Sequence, residues 1–337
     1  MAGVFRDAYL FRDYHRMKAF FLLVCLLALF LYLIRHFNLI STYPPSFFGT
    51  PSAADLCGGF IFGIGMVLGG GCLLSTLYKL GSGHTVSAIT FCGVLFGGFV
   101  SAAFYPMFRS FAASTVLLGD KTALEHIVGS AGVPVLVTSV LAASLALRWA
   151  RKGGWSQPAY ARGYLPLWKA SFIMAFVIAL VVAFSGRPLA VGMGYAKLSG
   201  IVGGLFLPSL TGKLEFFHTE APRLLYGRIM DGGAGPAFDS VALTQFSLMA
   251  GVVGGSFISS FKLGEFRITR MPPGRQAFSA FLGGMLMAAG ALMAGGCNLW
   301  HLIGGVPLFA LQSMVFALGI AGGSFLGAVF IRRAVIR

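Results

Sequence analysis

The chain has 337 residues, of which 57% are hydrophobic and only 10% charged, and its mean hydropathy is +0.84. Soluble domains average about 25% charged residues, so a water-facing globular fold is excluded. A formal charge of +15 would suggest nucleic acid in a soluble protein. Here Lys and Arg sit in short stretches between apolar runs, where they set orientation in a bilayer, so the expected partner is lipid and no nucleic acid.

Arg6, Arg12, Arg16 and Lys18 lead into an apolar run of nearly spanning length, with no small-x-small cleavage site. The run therefore reads as a retained first helix and not a cleaved signal. A bilayer core of about 30 Å takes roughly 20 apolar residues per helix. On that basis the pattern predicts spans at 18–38, 56–80, 84–106, 131–150, 166–185, 241–261, 277–301 and 306–331. The stretch 189–210 is short, Gly-rich and contains Lys197. The stretch 211–240 mixes charges of both signs with Gly232, Gly233 and Gly235, and reads as an outside loop that folds back over the protein. Basic residues cluster at the N-terminus, at 148–169, at 262–275 and at Arg332, Arg333 and Arg337. All four clusters share the cytoplasmic side if 189–210 does not cross fully, which predicts a re-entrant or half-membrane element there; the alternative is a ninth full crossing with a displaced boundary elsewhere. Both termini are then cytoplasmic.

Two stretches resemble each other. Gly58–Gly83 reads GGFIFGIGMVLGGGCLLSTLYKLGSG and Gly283–Gly305 reads GGMLMAAGALMAGGCNLWHLIGG. With Cys72 set against Cys297, Gly58 meets Gly283, Gly59 meets Gly284, Gly65 meets Gly290, and Gly70 and Gly71 meet Gly295 and Gly296. The threading runs the two copies in opposite directions. The expected fold is an all-α polytopic membrane protein, an inverted-repeat helical bundle with re-entrant or broken helices and about eight to nine spans. Its first half is 56–150; its second, 166–331, contains the inverted repeat 277–331. Proteins of this design place substrate near the midplane, where helices from both repeats break.

The Gly-Gly-Cys triplets are the expected breaks. Each Gly costs roughly 1 kcal/mol relative to Ala inside a helix, and unwound backbone in a membrane survives only inside protein or along a cavity. An interrupted helix presents free N–H groups and a positive dipole end to an anion, and successive N–H groups form a nest. A thiol adds a soft, weak donor and acceptor suited to sulfur, and weak contacts let a transported ligand leave. Gly70, Gly71, Cys72, Gly295, Gly296, Cys297 and Asn298 are therefore the candidate binding residues. The bland alternative, a buried Cys serving as a small hydrophobe, suits Cys25 and Cys92; Cys57, at a helix start, is open to either reading. The cysteines show no CxxC or Cys/His metal spacing, so no metal or other cofactor is expected. Ser75, Thr76 and His301 lie near the triplets. Lys79 and His84 read as interface anchors, and Tyr78 and Trp300 as members of an aromatic belt.

The stretches GIGMVLGGGCLLSTLYKLGSG at 63–83 and AAGALMAGGCNLWHLIGGVPLFAL at 288–311 resemble the YeeE/YedE family, the sulphur transport domain also called DUF395. Ser185-Gly186-Arg187-Pro188 is similar to that family's Gly-Arg-Pro element. The resemblance implies a thiosulfate-type transporter of a bacterial inner membrane, with a narrow central path along which cysteines carry the substrate by S–H contacts. By motif match these are Cys72 and Cys297. Many relatives carry a third Cys in an Arg-x-x-x-Cys-Phe sequence that is absent here; Cys57, Cys92 or Cys25 replaces it, or the third point is missing. The GCNL stretch is also similar to a selenium-linked branch, so selenium compounds, sulfide and polysulfide stand as alternative cargo. A membrane thiol redox enzyme or sulfurtransferase would need a resolving partner for its thiolate, and no CxxC, haem or quinone signature is present. A soluble sulfur-carrier partner is compatible with the sequence.

Overall fold

Backbone polar groups in lipid must be satisfied within the segment, which leaves helices as the outcome for long apolar runs. A computed structural model describes residues 4–5, 8–9, 13–37, 48–130, 132–151, 164–219, 224–225, 228–229 and 232–334. The main elements are α1 (His15–His36), α2 (Ala53–Leu68), α3 (Leu73–Gly81), α4 (Thr85–Ala103), α5 (Tyr105–Ser114) and α6 (Gly132–Arg151). They continue with α7 (Leu167–Ser185), α8 (Gly192–Phe206), α9 (Ser240–Lys262), α10 (Gly274–Met293), a π-helical turn Leu299–Gly305, and α11 (Leu311–Ala334). The described β structure is a two-residue antiparallel pairing of Leu224–Leu225 with Arg228–Ile229 and two isolated bridges, Ser52 with Val116 and Ala123 with Ala310. Among the described residues, seven segments are long and apolar enough to cross a bilayer, with α2 and α3 together making one of them. Phe184, Leu205, Phe206 and Phe278 point outward, as a lipid-facing surface requires.

Several boundaries differ from the expected spans for local reasons. The span at 56–80 is two helices separated by 69–72, and the span at 277–301 ends at Met293. The span at 306–331 begins at Leu311, because Pro307 and a left-handed Phe309 (φ 56°) hold 306–310 out of the helix. The apolar part of α6, Gly132–Arg148, is shorter than a full span. The Gly-rich stretch 189–210 forms α8, whose 15 residues extend roughly 22 Å at 1.5 Å per residue, short of the bilayer core.

The described residues of 211–219 and 232–240 do fold back on the protein; the charged residues Glu220, Arg223 and Asp231 lie outside the described residues. Phe216 and Phe217 are buried against Ala102 and Ala234. Lys197 of α8 has no exposed surface, and its Nζ donates to the carbonyls of Gly235 (2.8 Å) and Ala237 (2.9 Å) and to Asp239 Oδ2 (2.6 Å). Asp239 Oδ1 in turn accepts from the Ala242 N–H, capping α9. A buried ammonium is tolerable only with such full pairing.

The four helices α2, α4, α10 and α11 pack through glycine, and their contacts come in matched pairs. A Cβ added to Gly58 would lie 2.8 Å from the Gly290 oxygen, and one on Gly65 would lie 2.7 Å from the Gly283 oxygen. Residue numbers rise on α2 as they fall on α10, so the two helices cross antiparallel. Setting Cys72 on Cys297 turns the Gly58–Gly290 contact into the Gly283–Gly65 contact, as a local two-fold axis demands. The outer helices obey the same exchange. Gly93 approaches the Phe281 oxygen as Gly319 approaches that of Leu56, and Gly59 approaches Phe316 as Gly284 approaches Thr90. Beyond the cysteines the correspondence shifts by one residue, since thirteen positions separate Cys72 from Thr85 and fourteen separate Cys297 from Leu311. The π-helical turn Leu299–Gly305 is where the second copy takes up the extra residue.

Candidate functional site

The two Gly-Gly-Cys elbows share a backbone. Gly70 (φ 68°) and Gly295 (φ 67°) both occupy the left-handed region, which costs an L-residue roughly 1–2 kcal/mol. In each copy the preceding helix closes with the same bonds: Gly69 N–H to Gly65 and Gly70 N–H to Val67 in the first, Ala294 N–H to Gly290 and Gly295 N–H to Leu292 in the second. The chain then turns into a new helical start, and Cys72 and Cys297 occupy equivalent places on it. Cys72 is the N-cap of α3. Its sulfur accepts from the Ser75 N–H (3.5 Å), and Ser75 Oγ accepts from the Cys72 N–H (2.6 Å). The backbone N–H groups of Trp300, Val191 and Leu299 lie around the Cys297 sulfur. Both sulfurs thus sit at positive helix ends. They are nearly dry: Cys72 is 3% exposed and Cys297 1%.

Donors turn the elbow carbonyls away. Thr90 Oγ1 donates to the Gly69 carbonyl (3.1 Å) and Lys79 Nζ to the Gly70 carbonyl (2.5 Å). In the second copy Gln312 Nε2 and His301 Nε2 each lie 3.2 Å from the Ala294 carbonyl. That oxygen can only accept, so His301 Nε2 carries the hydrogen and Nδ1 accepts from Ser313 Oγ at 3.0 Å. Gln312 Nε2 also donates to Asp55 Oδ1 (2.8 Å), and Asp55 closes a capping box with Ser52 at the start of α2. An oxygen facing the path would repel an anion. Each of these carbonyls is bound from one side, and, against the expectation of free Gly amides, the N–H groups of Gly70, Gly295 and Gly296 are spent on the carbonyls of Val67, Leu292 and Ala291, so sulfur is the group the elbows bring to the path.

The elbows meet. The Asn298 side chain, from the second, lies beside the Cys72 thiol of the first. Tyr195 of α8 is buried beside both cysteines, and its hydroxyl donates to the Leu73 carbonyl (3.0 Å). A cavity of about 270 Å³ abuts the second elbow, lined there by Gly295, Gly296, Cys297 and Trp300, with Arg187 also on its wall.

The chain matches the family described as Sulphur transport over residues 1–326. The chain belongs to the Sulphur transport family. Among relatives, it is 27% identical over 324 residues to the thiosulfate transporter TsuA of Spirochaeta thermophila, covering 94% of this chain and 88% of that one. It is 25% identical over 321 residues to the TsuA of Escherichia coli, covering 89% and 79%. A shorter match, 34% over 127 residues, reaches the Escherichia coli protein called "Probable transporter YedE", covering 37% of this chain and 30% of that one.

Within this Sulphur transport chain, the residues singled out in sequence fall into two groups. Gly70, Gly71 and Cys72 form the first elbow and Gly295, Gly296, Cys297 and Asn298 the second, with Asn298 beside Cys72. Cys57 and Cys92 are exposed on α2 and α4, Cys25 is buried on α1, and none of the three lines the cavity. Tyr78 is exposed, as a belt residue would be. Lys79 is not simply an interface anchor, since its ammonium holds the first elbow. Sequence reasoning missed Tyr195, Thr90 and Gln312. Tyr195 carried a usable signal, a lone polar ring in a Gly-rich helix too short to span; Thr90 and Gln312 carried none, because each reaches its elbow from another helix.

Proposed function

We propose that this protein carries thiosulfate across a bacterial inner membrane, and that Cys72 and Cys297 are successive contact points for the substrate's terminal sulfur. One observation carries the reading: two buried thiols, each at the start of a broken helix, lie together beside Asn298 and Tyr195 in one dry constriction. Stripping water from an anion costs tens of kcal/mol in an apolar medium. The positive ends of the helices that start at Cys72 and Cys297 offset part of that cost, while the Gly70, Gly295 and Gly296 N–H groups are spent on Val67, Leu292 and Ala291 and hold the elbows' shape. The thiols hold the sulfur end weakly enough for onward movement. The likeness to the TsuA transporters along most of both chains favours thiosulfate over selenium compounds, sulfide or polysulfide.

The same reading divides the chain into halves at 56–150 and 166–331; with α6 (Gly132–Arg151) as an eighth crossing beside the other seven, it puts both termini in the cytoplasm and leaves α8 as a half-membrane element. The chain is a transporter without catalysis of its own, and a soluble sulfur-carrier protein receives or supplies its cargo. The path uses two thiols, with Cys25, Cys57 and Cys92 outside it. The decisive experiment is uptake of labelled thiosulfate into proteoliposomes holding the full chain. Wild-type protein moves thiosulfate and not sulfate, while Cys72→Ala and Cys297→Ala each lose at least about tenfold in rate at unchanged melting temperature. Normal uptake by the double variant refutes the relay.

A further inference from the structure

The cavity beside the second elbow differs in character from the constriction. A water takes about 30 Å³ of liquid, so a volume of about 270 Å³ holds one small tetrahedral anion together with several waters. Most hydroxyls on its wall are already committed to carbonyls: Tyr195 to Leu73 (3.0 Å), Ser199 to Tyr195 (2.8 Å) and Thr219 to Phe216 (2.6 Å). Gln245 uses its Oε1 to accept from the Gly194 N–H (2.7 Å). Among the described residues lining the cavity, Arg187 is the one that carries a charge. Its backbone is fixed by a rigid turn. Gly186 (φ 67°) ends α7 in the left-handed region, Ser185 Oγ bonds both the Arg187 N–H (3.3 Å) and its carbonyl (3.1 Å), and Pro188 follows.

We infer that this cavity is an antechamber for divalent sulfur oxyanions, in which Arg187 takes the oxyanion head while the Cys297 side takes the soft end. The inference rests on the proposed transport of thiosulfate. A planar guanidinium matches two oxygens of a tetrahedral head, whereas an ammonium is a point charge. A single cation facing a partly wet chamber also raises the local anion concentration. Selection then has two stages. Any small dianion with an oxyanion head enters the antechamber, and one bearing a terminal sulfur is passed to the thiols. Sulfate has the head without the soft end, so it occupies the antechamber and goes no further.

The test measures initial rates of labelled thiosulfate uptake by full-length protein in proteoliposomes, over a range of thiosulfate and sulfate concentrations. Sulfate inhibits the wild type competitively. Arg187→Gln raises the half-saturating concentration by about tenfold or more, with a much smaller change in maximal rate, and is no longer inhibited by sulfate. Arg187→Lys falls between. Cys297→Ala shows the opposite split: maximal rate is lost, but thiosulfate and sulfate still raise the melting temperature of the purified protein. An unchanged half-saturation and unchanged sulfate inhibition in Arg187→Gln overturns the inference. So does a loss confined to maximal rate in both Arg187 variants, which marks a purely structural arginine. If the wild type moves no thiosulfate, the transport reading fails. The sulfate-induced melting shift, and its loss in Arg187→Gln, still decides the antechamber.

Discussion

Gly70 offers a perturbation whose cost is nearly pure backbone. Its φ of 68° is left-handed, and a Cβ built there meets no atom within 4 Å. Gly70→Ala therefore introduces no collision, only the roughly 1–2 kcal/mol of placing an L-residue in that region. If the elbow must hold this conformation to place the Cys72 sulfur, 1–2 kcal/mol lowers the competent population about 5- to 30-fold. Gly295 has φ 67°, and its nearest atom to an added Cβ is Gln312 Nε2 at 3.8 Å, so Gly295→Ala has the same expected effect. Asn tolerates the left-handed region better than Ala, so Gly70→Asn and Gly295→Asn retain more activity than the alanine variants. The assay is thiosulfate uptake normalised to folded protein in the membrane, alongside melting temperature. Wild-type uptake by Gly70→Ala refutes the reasoning. Equal losses for Ala and Asn refute it too, since collision or polarity would then be responsible.

Other outcomes follow from particular contacts. Thr90→Val removes the donor to the Gly69 carbonyl (3.1 Å) and costs about 1–3 kcal/mol; uptake falls, and Thr90→Ser restores it. Gly93→Ala would set a Cβ 2.2 Å from the Phe281 oxygen and Gly323→Ala one 1.9 Å from the Phe60 oxygen, so both lower the yield of folded protein, while Gly254→Ala, with nothing within 4 Å, is silent. Lys197→Met strands Asp239 and two carbonyls and destabilises by about 3 kcal/mol, read as melting temperature. Burial pushes the Asp239 carboxyl up, but hydrogen bonds from Lys197, the Ala242 N–H and the Gly233 N–H, together with the Lys197 charge, hold it below its ordinary value. Its contribution is therefore complete above about pH 4 and lost as pH falls further; a melting temperature that rises on acidification contradicts this.

Much of the molecule was readable before any coordinates. The apolar runs dictate helices because lipid offers the backbone no partners. The Gly-Gly-Cys repeat marks the breaks because glycine is a poor interior residue and a ready left-handed one. Where reading failed, a distant partner decided. Lys79 looked like an interface anchor because its target, the Gly70 carbonyl, is nine residues away across the elbow. The break at 306–310 was missed because a left-handed Phe309 has no compositional mark.

Taken alone, the order of residues determined that this is a helical membrane protein with two matched elbows, since hydropathy and glycine spacing are local properties of the chain. Only the tertiary structure decided that the elbows meet, that Asn298 spans them, and that Tyr195, Thr90, Gln312 and Arg187 surround them. Those contacts join segments separated by tens to hundreds of residues. They depend on how closely glycine faces let α2 and α10 approach, which no single segment specifies.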